Sequence, residues 1–363
     1  MPGKLSSFFD AKDMTTGSPT SNLVQFSVPL LIGNFAQQMY NTVDSIIVGK
    51  YVGDHALAAV GASVPILNLL LVLFIGISTG AGIMVSQYFG ARQRDLLSKT
   101  VGNTVVLTFL SSLFIMLVGS LITAPLMSLL NTPPEIYDMA CSYLIIIFLG
   151  IAGMAFYNII SGILRGLGDS FMPLVFLLVA CGLNIVLDLY FVAELGWGVA
   201  GVAWATVIAQ VISSVLCVFR MLRMKNIMTV DKQALKLNKE LVWRLTKLGL
   251  PSGLTQAVFS MAGIVVQSLT NSFGTNVIAC STVVMRVDGF AMMPNFTFGT
   301  AMTTYAGQNV GANRIDRVNQ GTKDGMRLGI ITSIILVAAI LLFGRGLMGM
   351  FCLLYTAPLS AIR

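Results

Sequence analysis

Residues 105–127 read VVLTFLSSLFIMLVGSLITAPLM, a run of 23 positions without a charged side chain. At about 1.5 Å of rise per residue a helix of this length crosses the roughly 30 Å of hydrocarbon in a bilayer. A second run, LGIITSIILVAAILLF at 328–343, approaches that length. The rest of the chain agrees: of its 363 residues 56% are hydrophobic and only 10% charged, where a soluble domain carries about a quarter charged residues. So little charge leaves too little polar surface for a soluble protein of this size. The sequence therefore predicts an all-α polytopic membrane protein.

Working outward, about nine spans are expected, near 23–48, 56–83, 100–123, 139–160, 172–193, 199–221, 245–270, 277–303 and 325–344. Basic residues collect in alternate loops. Arg92, Arg94 and Lys99 follow the second span, and Arg165 follows the fourth. The loop after the sixth holds Arg220, Arg223, Lys225, Lys232, Lys236, Lys239, Arg244 and Lys247, and that after the eighth holds Arg314, Arg317, Lys323 and Arg327. With Lys4 and Lys12 these make 18 of the 22 bases, while the opposite loops hold Glu135, Asp138 and Glu194. The positive-inside rule makes the basic side cytoplasmic and places the N-terminus there, in a multi-pass cell-membrane protein. The net charge of +7 then reports topology. Bases spread over alternate short loops give no reason to expect a nucleic-acid partner.

Residues 1–22 are polar and lack the apolar core of a cleavable signal, so they read as a cytoplasmic tail. Cys141, Cys181, Cys217, Cys280 and Cys352 sit at unrelated spacings, mostly in apolar segments, and His55 is the sole histidine. They read as small buried hydrophobes rather than disulfides or zinc ligands.

The chain repeats itself. Pro29 pairs with Pro251 at a shift of 222; past a one-residue gap the shift is 221, and Gly53, Leu57 and Ala58 match Gly274, Ile278 and Ala279. Thr79, Gln87, Gly90, Ala91 and Asp95 then match Thr300, Gln308, Gly311, Ala312 and Asp316, in loops reading SQYFGARQRD and GQNVGANRID. Matches in polar loops do not arise from shared greasiness. Six spans precede the repeat, so both copies share one orientation and are related by an axis along the membrane normal. The expected organisation is a tail (1–22), a six-helix bundle (23–223), a cytoplasmic linker (224–244) and an incomplete second bundle (245–363). A whole second copy would run to about residue 440–460, so about three of its helices are expected to be missing.

Polar residues inside these spans need a reason. Asp44, Asp188 and Asp288 each fall within one, and a mid-helix Asp raises the insertion free energy by about 2.5–3.5 kcal/mol. Asp44 ends a stripe in NFAQQMYNTVDSIIVG (34–49), where Asn34, Gln37 or Gln38, Asn41 and Asp44 or Ser45 recur every three to four residues. That face must turn from lipid toward protein or water. Pro29 removes a backbone donor nearby and can hinge the helix. Tyr40 lies one turn before Asp44, Asn184 one turn before Asp188, and Thr206 in the sixth span. The second copy keeps Gln256, Ser260, Gln267 and Asn271 but has no carboxylate in this stripe; Val266 stands at the mate of Asp44. Arg286 and Asp288, two apart in the eighth span, do not face each other; a structural charge pair and a substrate or ion contact are both open. Met261, Phe290, Met292 and Met293 are of a type that lines adaptable cavities.

Pro29, TVDSIIVGKYVGDHALAAVG (42–61), NIISGILRGLGD (158–169), GQNVGAN (307–313) and the repeat resemble the multidrug and toxic compound extrusion (MATE) family over residues 23–350. The resemblance implies twelve helices in two six-helix lobes around a V-shaped cavity, with the first helix bending near the proline. It implies secondary antiport: export of amphipathic, mainly cationic organic compounds against entry of sodium or protons, by a monomer without a cofactor. One branch of the family has an Asp in helix 1, Asn-x-x-x-Asp in helix 5 and a Thr in helix 6, matching Asp44, Asn184, Asp188 and Thr206. An oxygen-only set suits sodium, and paired carboxylates also suit a proton. Another branch carries a helix 7 Glu eight residues after the proline, where this chain has Phe259, so ion coupling is expected in the first lobe. Pro29, Asn34, Gln38, Tyr40, Asn41, Gln256, Arg286 and Asp288 are the substrate or hinge candidates. A lipid-linked precursor flippase of the same superfamily is the alternative, though a strongly basic cavity is expected there. An integral-membrane enzyme is disfavoured: there is no DDxxD, no metal-ligand cluster around His55 and no P-loop.

Overall fold

Inside a bilayer each backbone polar group needs an internal partner, which a helix supplies. The computed structural model describes residues 12–130, 132–271 and 275–360; the side chains of 69, 264, 267, 268, 271, 275–283, 285–287 and 345–360 lie outside the description. Expectations resting on Lys4 and on the side chains of Gln267, Asn271, Cys280, Arg286 and Cys352 fall there. All regular structure among the described residues is helical: α1 Pro19–Tyr51, α2 Asp54–Gly90, α3 Arg94–Leu129, α4 Pro134–Leu149, α5 Ile151–Gly166, α6 Phe171–Asp188, α7 Gly198–Arg223, α8 Lys239–Asn271, α9 Thr275–Gly311 and α10 Ile315–Ser360. Among the described residues five helices are long and apolar enough to cross a membrane, or six if the bent pair α4–α5 counts as one. The polar stripe of α1 keeps that helix below the measure, although it runs 33 residues.

Three local features depart from a plain succession of spans. The fourth is broken at Gly150 into α4 and α5, bent by 53°; a side chain at Gly150 would strike Val207 of α7. The fifth passes from α6 directly after Asp188 into a π-helical turn, Leu189–Glu194. Arg165, expected in a basic loop, belongs to the last turn of α5 and lines a cavity bounded by α1, α5, α6 and α9.

The sequence repeat is visible in the packing. A Cβ at Gly90 would strike the backbone of Gln308, and one at Gly311 the backbone of Gln87. Gly90 and Gly311 are repeat mates, as are Gln87 and Gln308, so α2 and α9 exchange the same contact in both directions. Ser86 and Gly307, also mates, touch each other, so the pseudo-two-fold axis passes between them. The mates α1 and α8 follow suit: α8 packs on α2 and α1 on α9.

Residues 12–18 form a strap at the basic end of this crossing. Met14 is fully buried with Leu23, Phe26, Ala301 and Tyr305. Its N–H donates to Gln308 Oε1 (2.8 Å), and its carbonyl accepts from Asn309 Nδ2 and from Arg317, both at 3.2 Å. Arg317 also donates to the carbonyls of Thr16 and Gly17, and Arg314 to that of Thr15. On the other side the Lys12 N–H donates to the Gly168 carbonyl, and Gln308 Nε2 reaches the Gly166 carbonyl at 3.1 Å. The strap thus ties the α5–α6 turn of the first repeat to α9 and α10 of the second. Residues 224–238 lie on the same end. There Asn103 of α3 donates to the Lys236 carbonyl (3.1 Å) and accepts from the Asn238 N–H (2.7 Å).

Candidate functional site

Four helices converge on one buried polar cluster. α1 contributes Tyr40 and Asp44, α6 Asn184 and Asp188, α7 Thr206, and α4 Tyr143. Asn184, Asp188 and Thr206 are 1%, 0% and 8% exposed. Asn184 and Asp188, four residues apart, share a face of α6, and the amide is oriented by its neighbours. In the amide orientation that satisfies both of its ends, its nitrogen donates to Asp188 Oδ2 at 2.9 Å and its oxygen accepts from the Thr206 N–H at 3.1 Å. Asp44 meets Asp188 directly. The Tyr40 hydroxyl meets Thr206, and Tyr143 lies within electrostatic reach of both acids.

Two atoms decide what this cluster can do. Asp44 Oδ1 and Asp188 Oδ1 are buried and have no hydrogen-bond partner among the described residues. An unsatisfied buried acceptor costs about 1–3 kcal/mol, more if charged. Among the described residues the ion pairs are Lys99–Asp95 and Arg220–Asp169, so no base balances either carboxyl. Facing acids of this kind need a cation or a proton between them. Every available ligand atom is oxygen, the preference of a hard cation. Asn184 has both ends of its amide engaged, so its geometry is that of a residue that holds Asp188 in place.

The remaining expected residues divide. Asn34 donates to Thr297 Oγ1 of α9 at 3.1 Å, and with Gln37 and Pro29 it lines the cavity of about 250 Å³ between α1, α5, α6 and α9. Gln38 and Asn41 accept, through their carbonyls, the hydroxyls of Thr42 and Ser45; their side chains are not drawn into the acid cluster. Gln256 and Asp288 are exposed. Phe290 meets Phe35 with ring centroids 5.7 Å apart, Met261 and Met292 are exposed, and Met293 is partly buried. Tyr143 was not singled out by the sequence, which gave no sign that α4 would reach this site. Tyr157 and Asn158 of the cavity wall were also missed, though Asn158 opens the NIISGILRGLGD motif.

The MatE family profile matches residues 29–190 and 251–352. The chain belongs to this family. MATE proteins are transporters, and the multi-pass helical architecture agrees. The probable multidrug resistance protein YoeA of Bacillus subtilis is 32% identical over 333 residues, which cover 90% of this chain and 72% of that protein. A solved structure described as the outward-facing conformation of a multidrug resistance MATE family transporter superposes with a TM-score of 0.87 at 26% identity, covering 92% of this chain and 74% of the other. A MATE crystal structure in the bent conformation gives 0.87 at 25%, covering 96% and 78%.

Proposed function

We propose that this MATE protein is a secondary antiporter that exports amphipathic organic compounds in exchange for sodium ions or protons, with the coupling ion held between Asp44 and Asp188. The observation that carries this reading is the pair of carboxyls on α1 and α6 that meet each other, each with a buried oxygen that has no hydrogen-bond partner, and with no base among the described residues to balance them. Asn184 and Thr206 orient Asp188, and Tyr40 and Tyr143 complete the wall. The kinship with YoeA supports drugs as the class of cargo. The basic face is the cytoplasmic one, and the two repeats act as two lobes.

An ion between the acids draws α1 toward α6 and α7. Asp44 lies 15 residues beyond Pro29, about 22 Å along the helix. Between them Asn34 and Gln37 line the cavity. Ion binding is thus mechanically joined to the cavity, which lies on the same side of Pro29, and to the strap on the other side. Only an ion that binds one α1 geometry better than the other can shift the balance between them, and a site made half from α1 satisfies that requirement. The test is drug efflux from cells expressing Asp44→Asn or Asp188→Asn. Each is expected to lose gradient-driven efflux while still reaching the membrane; wild-type efflux in both variants would reject the assignment.

A further inference from the structure

Arg165 is a cation with no counter-ion among the described residues. It lines the cavity between α1, α5, α6 and α9 together with Asn34, Gln37, Asn158, Ser170 and Thr297, and no Asp or Glu belongs to that wall. The groups beside the guanidinium are Tyr157 and Cys217. Asp169 is near in sequence, but Arg220 holds it through two donors at 3.2 and 3.0 Å. Among the described residues the Arg165 side chain makes no hydrogen bond or ion pair. The side chains of Gln37 and Ser170 likewise donate to nothing, whereas those of Asn34, Asn158 and Thr297 are already committed to Thr297, the Met154 carbonyl and the Met293 carbonyl.

A guanidinium in a protein interior calls for an anion, and its planar fork matches a carboxylate in bidentate fashion. We propose that this cavity is a subsite for the carboxylate of an amphipathic, zwitterionic or anionic cargo, with Arg165 as the anchor and Gln37 and Ser170 as flanking donors. The inference rests on the antiporter reading above and adds a cargo class that the cation expectation omits. The volume of about 250 Å³ lies below the 300–1,000 Å³ usual for drug-sized ligands. It takes the polar end of such a molecule, leaving the apolar body toward Phe35 and Phe290. The opposing arrangement is simple: Arg165 neutralises the C-terminal end of α5 through its dipole and binds nothing.

The two differ in a matched pair of dyes. Rhodamine 110 carries a free carboxylate, and rhodamine 123 is its methyl ester. Their binding to purified protein in phosphatidylcholine nanodiscs is read by fluorescence anisotropy. Arg165→Gln should weaken rhodamine 110 on the order of tenfold or more, the loss of a charge-assisted pair, and leave rhodamine 123 nearly unchanged. Arg165→Lys should recover part of the difference. Retained rhodamine 123 binding also shows that the variant is folded. Equal weakening of both dyes, no weakening of either, or no binding of either dye by the wild type would overturn the proposal. So would displacement of rhodamine 110 by phosphatidylglycerol in the wild type alone, which would make the site a lipid headgroup site. Asp188→Asn separates the two readings. If it keeps ion-driven efflux while Arg165→Gln still splits the dyes, the antiport mechanism falls and the carboxylate subsite stands; the reverse pattern overturns the subsite alone.

Discussion

Asp188 is held at one oxygen and bare at the other. Asn184 satisfies Oδ2 and is itself fixed by the Thr206 backbone, which holds the carboxyl in place beside Asp44. Replacing Asn184 with Ala removes that support and leaves a second carboxyl oxygen unsatisfied, a change of about 1–3 kcal/mol. The expected result is roughly a tenfold higher concentration of coupling ion for half-maximal efflux, with maximal efflux largely kept; an unchanged ion dependence would show that Asn184 is only packing. At this scale the sequence was informative where membrane insertion makes a residue expensive. Asp44 and Asp188 could be picked out because lipid does not tolerate an acid without a partner, and Asn184 because it lies one turn before Asp188. Tyr143 could not, because a tyrosine in an apolar helix is compatible with core, interface or site. Arg165 was misplaced for a related reason: a base at a helix end reads as a loop charge until its neighbours across the cavity are known.

Among the elements, α2 and α9 carry the crossing between the repeats. Gly90 and Gly311 each lie against the backbone of the other helix, which cannot move aside as a side chain can. Gly90→Ala and Gly311→Ala should therefore each destabilise the protein, by about 1–3 kcal/mol as for other overpacked contacts, and by similar amounts because the contacts are mates. Thermal unfolding in detergent measures this; a large effect from one and none from the other would contradict the symmetric crossing. The strap makes a second prediction. Arg317→Ala removes donors to Met14, Thr16 and Gly17, so a Met14→Cys thiol should react with maleimide markedly faster in that background. Equal labelling with and without Arg317 would mean that the strap is held by its apolar contacts alone. The spans and the repeat were legible from hydropathy and spacing. The bend at Gly150 and the π-helical turn after Asp188 were not, because each is set by a tertiary neighbour or a backbone register that leaves no mark on composition.

For the whole molecule, α1 links the strap, the cavity and the acid cluster. One end leads into the strap, its middle lines the cavity against α9, and its far half supplies Tyr40 and Asp44. Movement of the two repeats about the Ser86–Gly307 axis would have to open the strap and the reciprocal glycine contacts at the basic end, and α1 is the helix through which an ion could bias that opening. The most direct test is flux in proteoliposomes loaded with rhodamine 123, in which an inward sodium jump and an inward proton jump are applied separately. One of the two gradients should drive dye efflux from wild-type vesicles, and Asp44→Asn and Asp188→Asn should each abolish that response while dye binding persists. Efflux in the variants that follows the same gradient at the wild-type rate would contradict an ion held between these two carboxyls.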